Sequence, residues 1–148
     1  LERHYAELPK IRCRPVLLNE VFFELVGNAA DAAGPGGEIQ LRSALEGDHL
    51  VVSVLDDGPG IPPDQREKVF EPGFTTKGRG VGVGLGLSTV SRIVAEHGGR
   101  LEVQDAPTGG AEFRVVLPRP PARTTSDEPR PDASPGVDVA PEPGYGIG

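Results

Sequence analysis

The sequence predicts an α/β sandwich in which helices pack on one face of a sheet. Two stretches place apolar residues three and four positions apart, which is the spacing of a half-buried helix. Four further stretches are rich in β-branched residues or alternate apolar with polar residues, and they come as two pairs. Strand pairs separated by helical patterns indicate a mixed α/β domain rather than an all-helical or all-β one.

The predicted elements begin with a weak strand in "LERHYAEL" and a helix over 17–33. "EIQLRSALEG" and "HLVVSVLDDG" predict a strand pair joined near Gly47 and Asp48. A short helix over "PPDQREKVF" leads into a glycine-rich loop. A helix over 84–97 then precedes a second strand pair, "RLEVQ" and "AEFRVVL", joined across "PTGG".

The composition changes at Pro118: residues 118–148 hold eight of the sixteen prolines of the chain and almost no large apolar residues. Such a segment cannot bury enough surface to offset its ordering entropy. We therefore predict a folded domain over 1–118 and a Pro-rich disordered tail or linker over 119–148, with a proline-rich docking segment as the alternative for the tail. The chain contains no methionine, even at position 1, which predicts that it is part of a longer protein.

Charge and composition exclude several classes of function. The net charge is -7, with five Phe, two Tyr and no Trp, so direct nucleic-acid binding is not expected. No apolar run approaches the roughly 18 residues that span a membrane, and we expect no membrane contact by this part of the protein. Cys13 is the only cysteine, which excludes an intrachain disulfide and suits a reducing, cytoplasmic location.

A polar stripe runs along the first predicted helix, beside its apolar face. Its members, Glu20, Glu24, Asn28 and Asp31, recur at spacings of four, four and three. One interpretation is a solvated helix face. The other is a site for hydrated Mg²⁺, which prefers oxygen ligands and leaves coordination positions for substrate phosphates. Because acidic residues repel a bare triphosphate, phosphate binding at this stripe must depend on the metal.

A second candidate site lies where the strand "VVSVL" runs into Asp56 and a turn with Gly58 and Gly60. An aspartate at a strand end is often a simple turn former. Here it continues an apolar strand, and a buried carboxylate needs a partner. The exocyclic amino group of a base would supply one, because a carboxylate accepts such an N–H strongly.

Four motifs in order resemble the ATP-binding catalytic domain of two-component sensor histidine kinases, within the gyrase/chaperone/histidine kinase/mismatch-repair ATPase superfamily. "ELVGNAADA" resembles the N box, "DDGPGI" the first glycine box, "VFEPGFTTK" the F box and "GVGLGLS" the second glycine box. The resemblance covers about residues 1–118. It implies a Bergerat-type ATP-binding fold, a two-layer sandwich with a mixed, mostly antiparallel sheet, in which ATP is held between the helices and a mobile lid.

The resemblance also implies roles for individual residues. Asn28 would coordinate Mg²⁺, Asp56 would bind the adenine amino group, and Gly58 and Gly60 would shape the adenine pocket. Glu24 stands where hydrolytic relatives carry a water-activating glutamate, and we assign it with Asn28 to catalysis. The glycines of the second glycine box would let the backbone approach the phosphates at the start of a helix. The other positions assigned to nucleotide binding are Asp31, Ile61, Phe70, Thr75, Thr76, Lys77, Gly82, Val83, Gly84, Leu85, Gly86 and Leu87.

Some positions depart from the family pattern. Many kinases carry Asn where Glu24 stands. Some carry a basic residue where Asp31 stands, and the aspartate in this chain removes the phosphate contact that such a residue could make. Gly73 replaces a common aromatic residue of the F box, and Val83 a common Thr or Ser.

The implied function is transfer of the γ-phosphoryl of ATP to a histidine on a dimerisation domain outside this sequence, and then to a response regulator. His4, His49 and His97 do not lie in an acceptor pattern. Two alternatives remain: an ATP-hydrolysing conformational switch, suggested by Glu24, and a catalytically degenerate module that binds a partner.

Overall fold

The computed structural model describes residues 1–74 and 85–119. The two helices are α1 (Pro15–Ala33) and α2 (Gly86–Glu96). The five strands are β1 (Glu2–Tyr5), β2 (Ile39–Glu46), β3 (His49–Asp56), β4 (Arg100–Asp105) and β5 (Ala111–Pro118).

The strands form one sheet in the order β1-β2-β3-β5-β4. β1 is parallel to β2, and every other neighbouring pair is antiparallel. Both predicted strand pairs form, and so does the weak first strand. The expectation of a mixed, mostly antiparallel sheet is confirmed. The chain order did not predict that β5 lies between β3 and β4 and thereby joins the two pairs.

Both helices pack on the same face of this sheet. Alternate residues of a strand point to opposite faces, and Val54 of β3 and Phe113 of β5 share one buried cluster with Leu25 of α1 and Ile93 of α2. Each side chain of this size contributes about 1.5–3 kcal/mol when fully buried. This cluster forms the core between the two layers, with α1 packed on β3 and β2 and α2 packed on β4 and β5.

The helix boundaries differ slightly from those expected. α1 begins at Pro15 instead of residue 17, because proline is favoured in the first turn, where its missing N–H costs no hydrogen bond. The backbone N–H of Arg14, just before it, donates to Nε2 of His97 at 3.1 Å. α2 ends at Glu96, one residue before the expected end. It begins at Gly86: of the two residues expected before it, Leu85 is not helical, and residue 84 lies outside the described part of the chain.

The predicted short helix over "PPDQREKVF" is wrong. Two separate 3-10 turns stand there, Pro63–Gln65 and Lys68–Phe70. The segment is too short to offset the cost of helix nucleation, and prolines bound it, with a pair at its start and Pro72 just after its end.

The assignments made for 75–84 and 120–148 fall outside the described residues. This applies to Thr75, Thr76, Lys77, Gly82, Val83 and Gly84, and to nearly all of the predicted tail. Across residues 1–74 and 85–119, no helix is long and apolar enough to cross a membrane.

Candidate nucleotide-binding site

The predicted site residues that the structure describes gather at one end of the sandwich. This end is formed by the last residues of β3, the turn that follows it, the second half of α1 and the first turn of α2. The helix-facing side of β3 carries Leu50, Val54 and Asp56, so the aspartate side chain points between the two layers.

Asp56 is buried, with 3% of its surface exposed. Its Oδ1 accepts the backbone N–H of Gly58 at 2.9 Å and that of Ala111 at 3.3 Å. Burial raises the pKa of the Asp56 carboxyl above its ordinary value of 3.8, more than these two donors lower it, and the charge of Asp57 adds to the rise. The Asp56 carboxyl is therefore costly to ionise in the folded protein. Among the described residues, its hydrogen-bond donors are backbone N–H groups alone.

The turn after Asp56 packs closely against two other parts of the chain. A Cβ on Gly58 would lie 2.7 Å from the carbonyl oxygen of Ala32, at the end of α1. Gly60 has a φ of +73° and would place a Cβ 3.0 Å from the carbonyl oxygen of Gly110. Side chains at either position would push the turn away from its neighbours. Ile61 follows, half-buried against the core.

The polar stripe of α1 is split by the fold. Glu24 and Asn28 are half-buried, whereas Glu20 and Asp31 are exposed. The Oε2 atom of Glu24 lies 2.5 Å from the position a Cβ of Gly86 would occupy, so its carboxylate stands beside the first turn of α2. The outer members of the stripe are as exposed as a solvated face requires, whereas its two middle members are partly covered.

The first turn of α2 places the remaining described residues. Leu85 is exposed, and its carbonyl oxygen accepts the backbone N–H of Thr89 at 3.0 Å. Leu87 and Phe70 are half-buried and pack against the core. Gly86, the first residue of α2, lies against the Glu24 carboxylate and leaves it the space that a side chain would fill.

The donor set fits Mg²⁺ bound together with phosphates better than a metal held by protein alone. Among the described residues, no group of three or more His, Cys, Asp or Glu could hold a metal ion. Mg²⁺ commonly takes only one or two protein oxygens and completes its shell with water and phosphate. The Asn28 amide oxygen and the Glu24 carboxylate are hard oxygen donors of this kind.

Sequence reasoning missed three residues that the fold brings to this end: Gly110, Ala111 and Arg66. Gly110, with a φ of +78°, touches the backbone of Asp56 so closely that a Cβ would overlap its carbonyl oxygen. The "PTGG" turn was recognisable, but its contact with a residue more than fifty positions earlier depends on β5 pairing with β3. No local pattern signals that pairing.

Comparisons with known proteins agree with this arrangement. The chain is 41% identical over 111 residues to the sensor histidine kinase ZraS of Escherichia coli O157:H7, a match covering 75% of this chain and 24% of ZraS. The chain thus spans about a quarter of that relative's length.

Solved structures show the same similarity. The catalytic domain of histidine kinase ThkA matches with a TM-score of 0.70 and 31% identity, over 80% of this chain and 78% of that one. Full-length ShkA in complex with AMPPNP matches with a TM-score of 0.67 and 35% identity, over 79% of this chain and 25% of that one.

The family model described as histidine kinase-, DNA gyrase B-, and HSP90-like ATPase matches residues 13–121. This range includes all four motifs. The chain belongs to that family, and it is an ATP-binding catalytic domain of the sensor histidine kinase type.

Proposed function

We propose that this domain binds ATP with Mg²⁺ and passes the γ-phosphoryl to a histidine on a dimerisation domain of the same protein, from which it moves to an aspartate of a response regulator. The chain would act in the cytoplasm, where ATP is available. Support comes from the family match and from the relatives, which are named sensor histidine kinases. The ShkA structure, solved with AMPPNP, supports the nucleotide as ligand.

The observation that carries the proposal is the geometry of Asp56. Within residues 1–74 and 85–119, both hydrogen bonds to this carboxylate end on Oδ1. Oδ2 is then the atom that accepts the adenine amino group. A hydrogen bond to a charged acceptor contributes about 1.5–3 kcal/mol, enough to select a base that carries this donor.

At the other end of the site, Asn28 and Glu24 face the phosphates from α1. Asn28 would contribute an oxygen to Mg²⁺, which would supply positive charge to offset that of the triphosphate. Glu24 stands beside the first turn of α2, where free backbone N–H groups favour an anion. The carboxylate opposes a triphosphate that lacks its metal, so nucleotide affinity becomes dependent on Mg²⁺.

Calorimetric titration of the chain with ATP, with and without Mg²⁺, tests these assignments. We expect binding that weakens when Mg²⁺ is removed, and an Asn28→Ala variant that binds ATP about equally weakly with and without the metal. Glu20→Ala, one turn earlier on an exposed part of α1, is the matched control and should bind as wild type. A folded wild-type chain that binds no nucleotide would refute the proposal and leave the degenerate partner-binding module.

Phosphoryl transfer needs a second measurement, because the acceptor lies outside this sequence. The chain is mixed with a dimeric helical hairpin that carries the acceptor histidine of the same protein. Acid-labile, alkali-stable label from [γ-³²P]ATP should appear on the hairpin. ATP binding without any labelled hairpin would contradict the kinase assignment.

The position of Glu24 beside Gly86 also supports a second candidate, an ATP-hydrolysing switch. In that case the carboxylate would orient a water against the γ-phosphate. Steady release of phosphate by the chain alone, lost in Glu24→Ala and kept in Glu20→Ala, would favour the switch over the kinase.

A further inference from the structure

Arg66, in the segment after the Gly60 turn, contacts two separate parts of the chain. Its Nε donates to the carbonyl oxygen of Ile61 at 3.1 Å, and its Nη2 pairs with Oδ1 of Asp105 at 2.5 Å. Ile61 belongs to the turn that follows β3, whereas Asp105 is the last residue of β4. One guanidinium therefore connects the turn to the hairpin between β4 and β5.

The same two parts of the chain support Asp56. The turn donates the N–H of Gly58 to Oδ1, and the hairpin donates the N–H of Ala111 to the same atom. The two parts meet directly where Gly60 faces Gly110. A shift of either part against the other would move one of the two donors that aim the carboxylate.

The small side chains around Arg66 make its connection between the turn and the hairpin important. Beside the contact of Gly60 with Gly110, a cleft of about 350 Å³ lies between the turn and the hairpin, and Arg66 and Asp105 are among the residues that line it. Its other lining residues are glycines, prolines and one isoleucine: Pro59, Gly60, Ile61, Pro62, Pro63, Gly109 and Gly110. Glycines and prolines offer little side-chain packing across such a gap, so the long arginine side chain provides the cross-link.

An ordinary surface ion pair would not explain this arrangement. The Asp105 side chain is 76% exposed, whereas the Arg66 side chain is only 25% exposed. A second nitrogen of Arg66, Nε, donates a hydrogen bond to the main-chain carbonyl of Ile61. An exposed pair of two flexible side chains contributes little. A largely covered guanidinium bonded to a carbonyl of the turn holds backbone in place.

We propose that Arg66 is a positioning residue for base recognition: it clamps the turn after β3 to the β4–β5 hairpin and thereby holds Asp56 in the orientation that selects adenine. This inference rests on the proposed role of Asp56 in nucleotide binding. It assigns Arg66 no contact with the nucleotide.

The test compares the affinities for ATP and GTP, since guanine carries a carbonyl oxygen at C6, where adenine carries the amino group proposed to donate to Asp56, and has its own amino group at C2 instead. In Arg66→Gln we expect ATP affinity to fall about fivefold to twentyfold, with GTP affinity nearly unchanged. The ratio of ATP to ADP affinity should stay as in wild type, because the phosphate end is untouched. A general loss of folded protein would lower all nucleotides together and leave the ATP-to-GTP ratio unchanged.

Two further variants separate the contacts. Asp105→Asn removes the ion pair but leaves the bond to Ile61, so its effect on the ratio should be smaller. Arg100→Gln breaks an exposed pair with Glu102 at the far end of β4 and should keep the wild-type ratio. If Arg66→Gln does not fold, Arg66→Lys replaces it. Lysine keeps a positive charge opposite Asp105 but lacks the planar guanidinium, and the same ratio of ATP to GTP affinity is measured.

The possible failures are distinguishable. If Arg66→Gln and Asp105→Asn keep the wild-type ATP-to-GTP ratio while Asp56→Asn loses it, Arg66 has only a structural role and the inference is wrong. If wild type does not prefer ATP, or Asp56→Asn keeps the preference, the proposed adenine site fails and the role of Arg66 fails with it.

Discussion

Asp56 on β3 and Arg114 on β5 are both charged side chains of the central strands, but they lie on opposite faces of the sheet. Asp56 points towards the helices, is 3% exposed and has backbone N–H donors as its described partners. Arg114 points away from the helices and pairs with Glu46 at 2.6 Å and Glu102 at 3.1 Å.

The two environments shift the pKa values of these groups with opposite consequences for charge. Burial raises the pKa of the Asp56 carboxyl, which disfavours its ionised form. The hydrogen bond from Arg114 to Glu46 raises the pKa of the guanidinium despite its burial, which favours its ionised form.

A charge matched by opposite charges stabilises the fold. Perturbed pKa values cluster at functional sites, so under the proposed function the Asp56 carboxylate is retained for a ligand. On this sheet, the paired charge of Arg114 lies on the outer face and the proposed ligand-binding charge of Asp56 lies between the layers.

The largest expected effect is that of Asp56→Asn on ATP binding. Asparagine keeps the shape, but with both backbone N–H groups on its oxygen it turns an NH₂ donor towards the adenine amino group. Loss of a charged acceptor should weaken ATP binding about tenfold to hundredfold. The free energy of unfolding of the ligand-free protein at neutral pH should rise, because a costly buried charge is removed.

Calorimetry and denaturant unfolding measure the two effects on the same sample. Asp57→Asn is the matched control. Its exposed side chain accepts the Glu38 N–H at 2.9 Å, which asparagine can also accept, so we expect nearly unchanged ATP affinity. Loss of stability together with loss of binding in Asp56→Asn would mean that the carboxylate serves the fold.

The opposite result is expected for Arg114→Gln. Both ion pairs are lost from a side chain that is 18% exposed, so the free energy of unfolding should fall by about 1–2 kcal/mol. ATP affinity should not change, since the helix side of the sheet keeps its contacts. Arg100→Gln, which breaks a more exposed pair, should cost less than about 0.5 kcal/mol. A fall in ATP affinity in Arg114→Gln would contradict the separation of the two faces.

The smallest effect is a pH dependence of stability that belongs to Asp56. Because its pKa is raised in the folded state, the native protein binds this proton more tightly than the unfolded chain does. Its contribution to stability is therefore complete below 3.8 and is lost as pH rises through the folded-state pKa.

The stability advantage of Asp56→Asn over wild type should accordingly shrink as pH falls from neutral through this window. Urea unfolding of both proteins at several pH values measures it. A difference that stays constant with pH would show that the raised pKa of Asp56 has no effect on stability.

The sequence by itself determined the order and type of nearly all the elements and the four motifs of the site. Helical spacing in α1 and β-branched runs in β3 are local patterns, and each can be recognised without knowing its neighbours. The motif residues Asp56, Gly58 and Gly60 are close in sequence, so their shared turn was also predictable. The short helix ending at Phe70 was mispredicted because its local spacing does not reveal the cost of nucleating so short a segment.

Only the tertiary structure decided how distant parts of the chain complete the site. Pairing of β5 with β3 brings Gly110 and Ala111 to Asp56, and the side chain of Arg66 reaches Asp105 across a cleft. Packing of α1 against α2 places Glu24 beside Gly86. These contacts depend on strand order and layer packing, which are set by burying one common core. No spacing within a single segment carries that information.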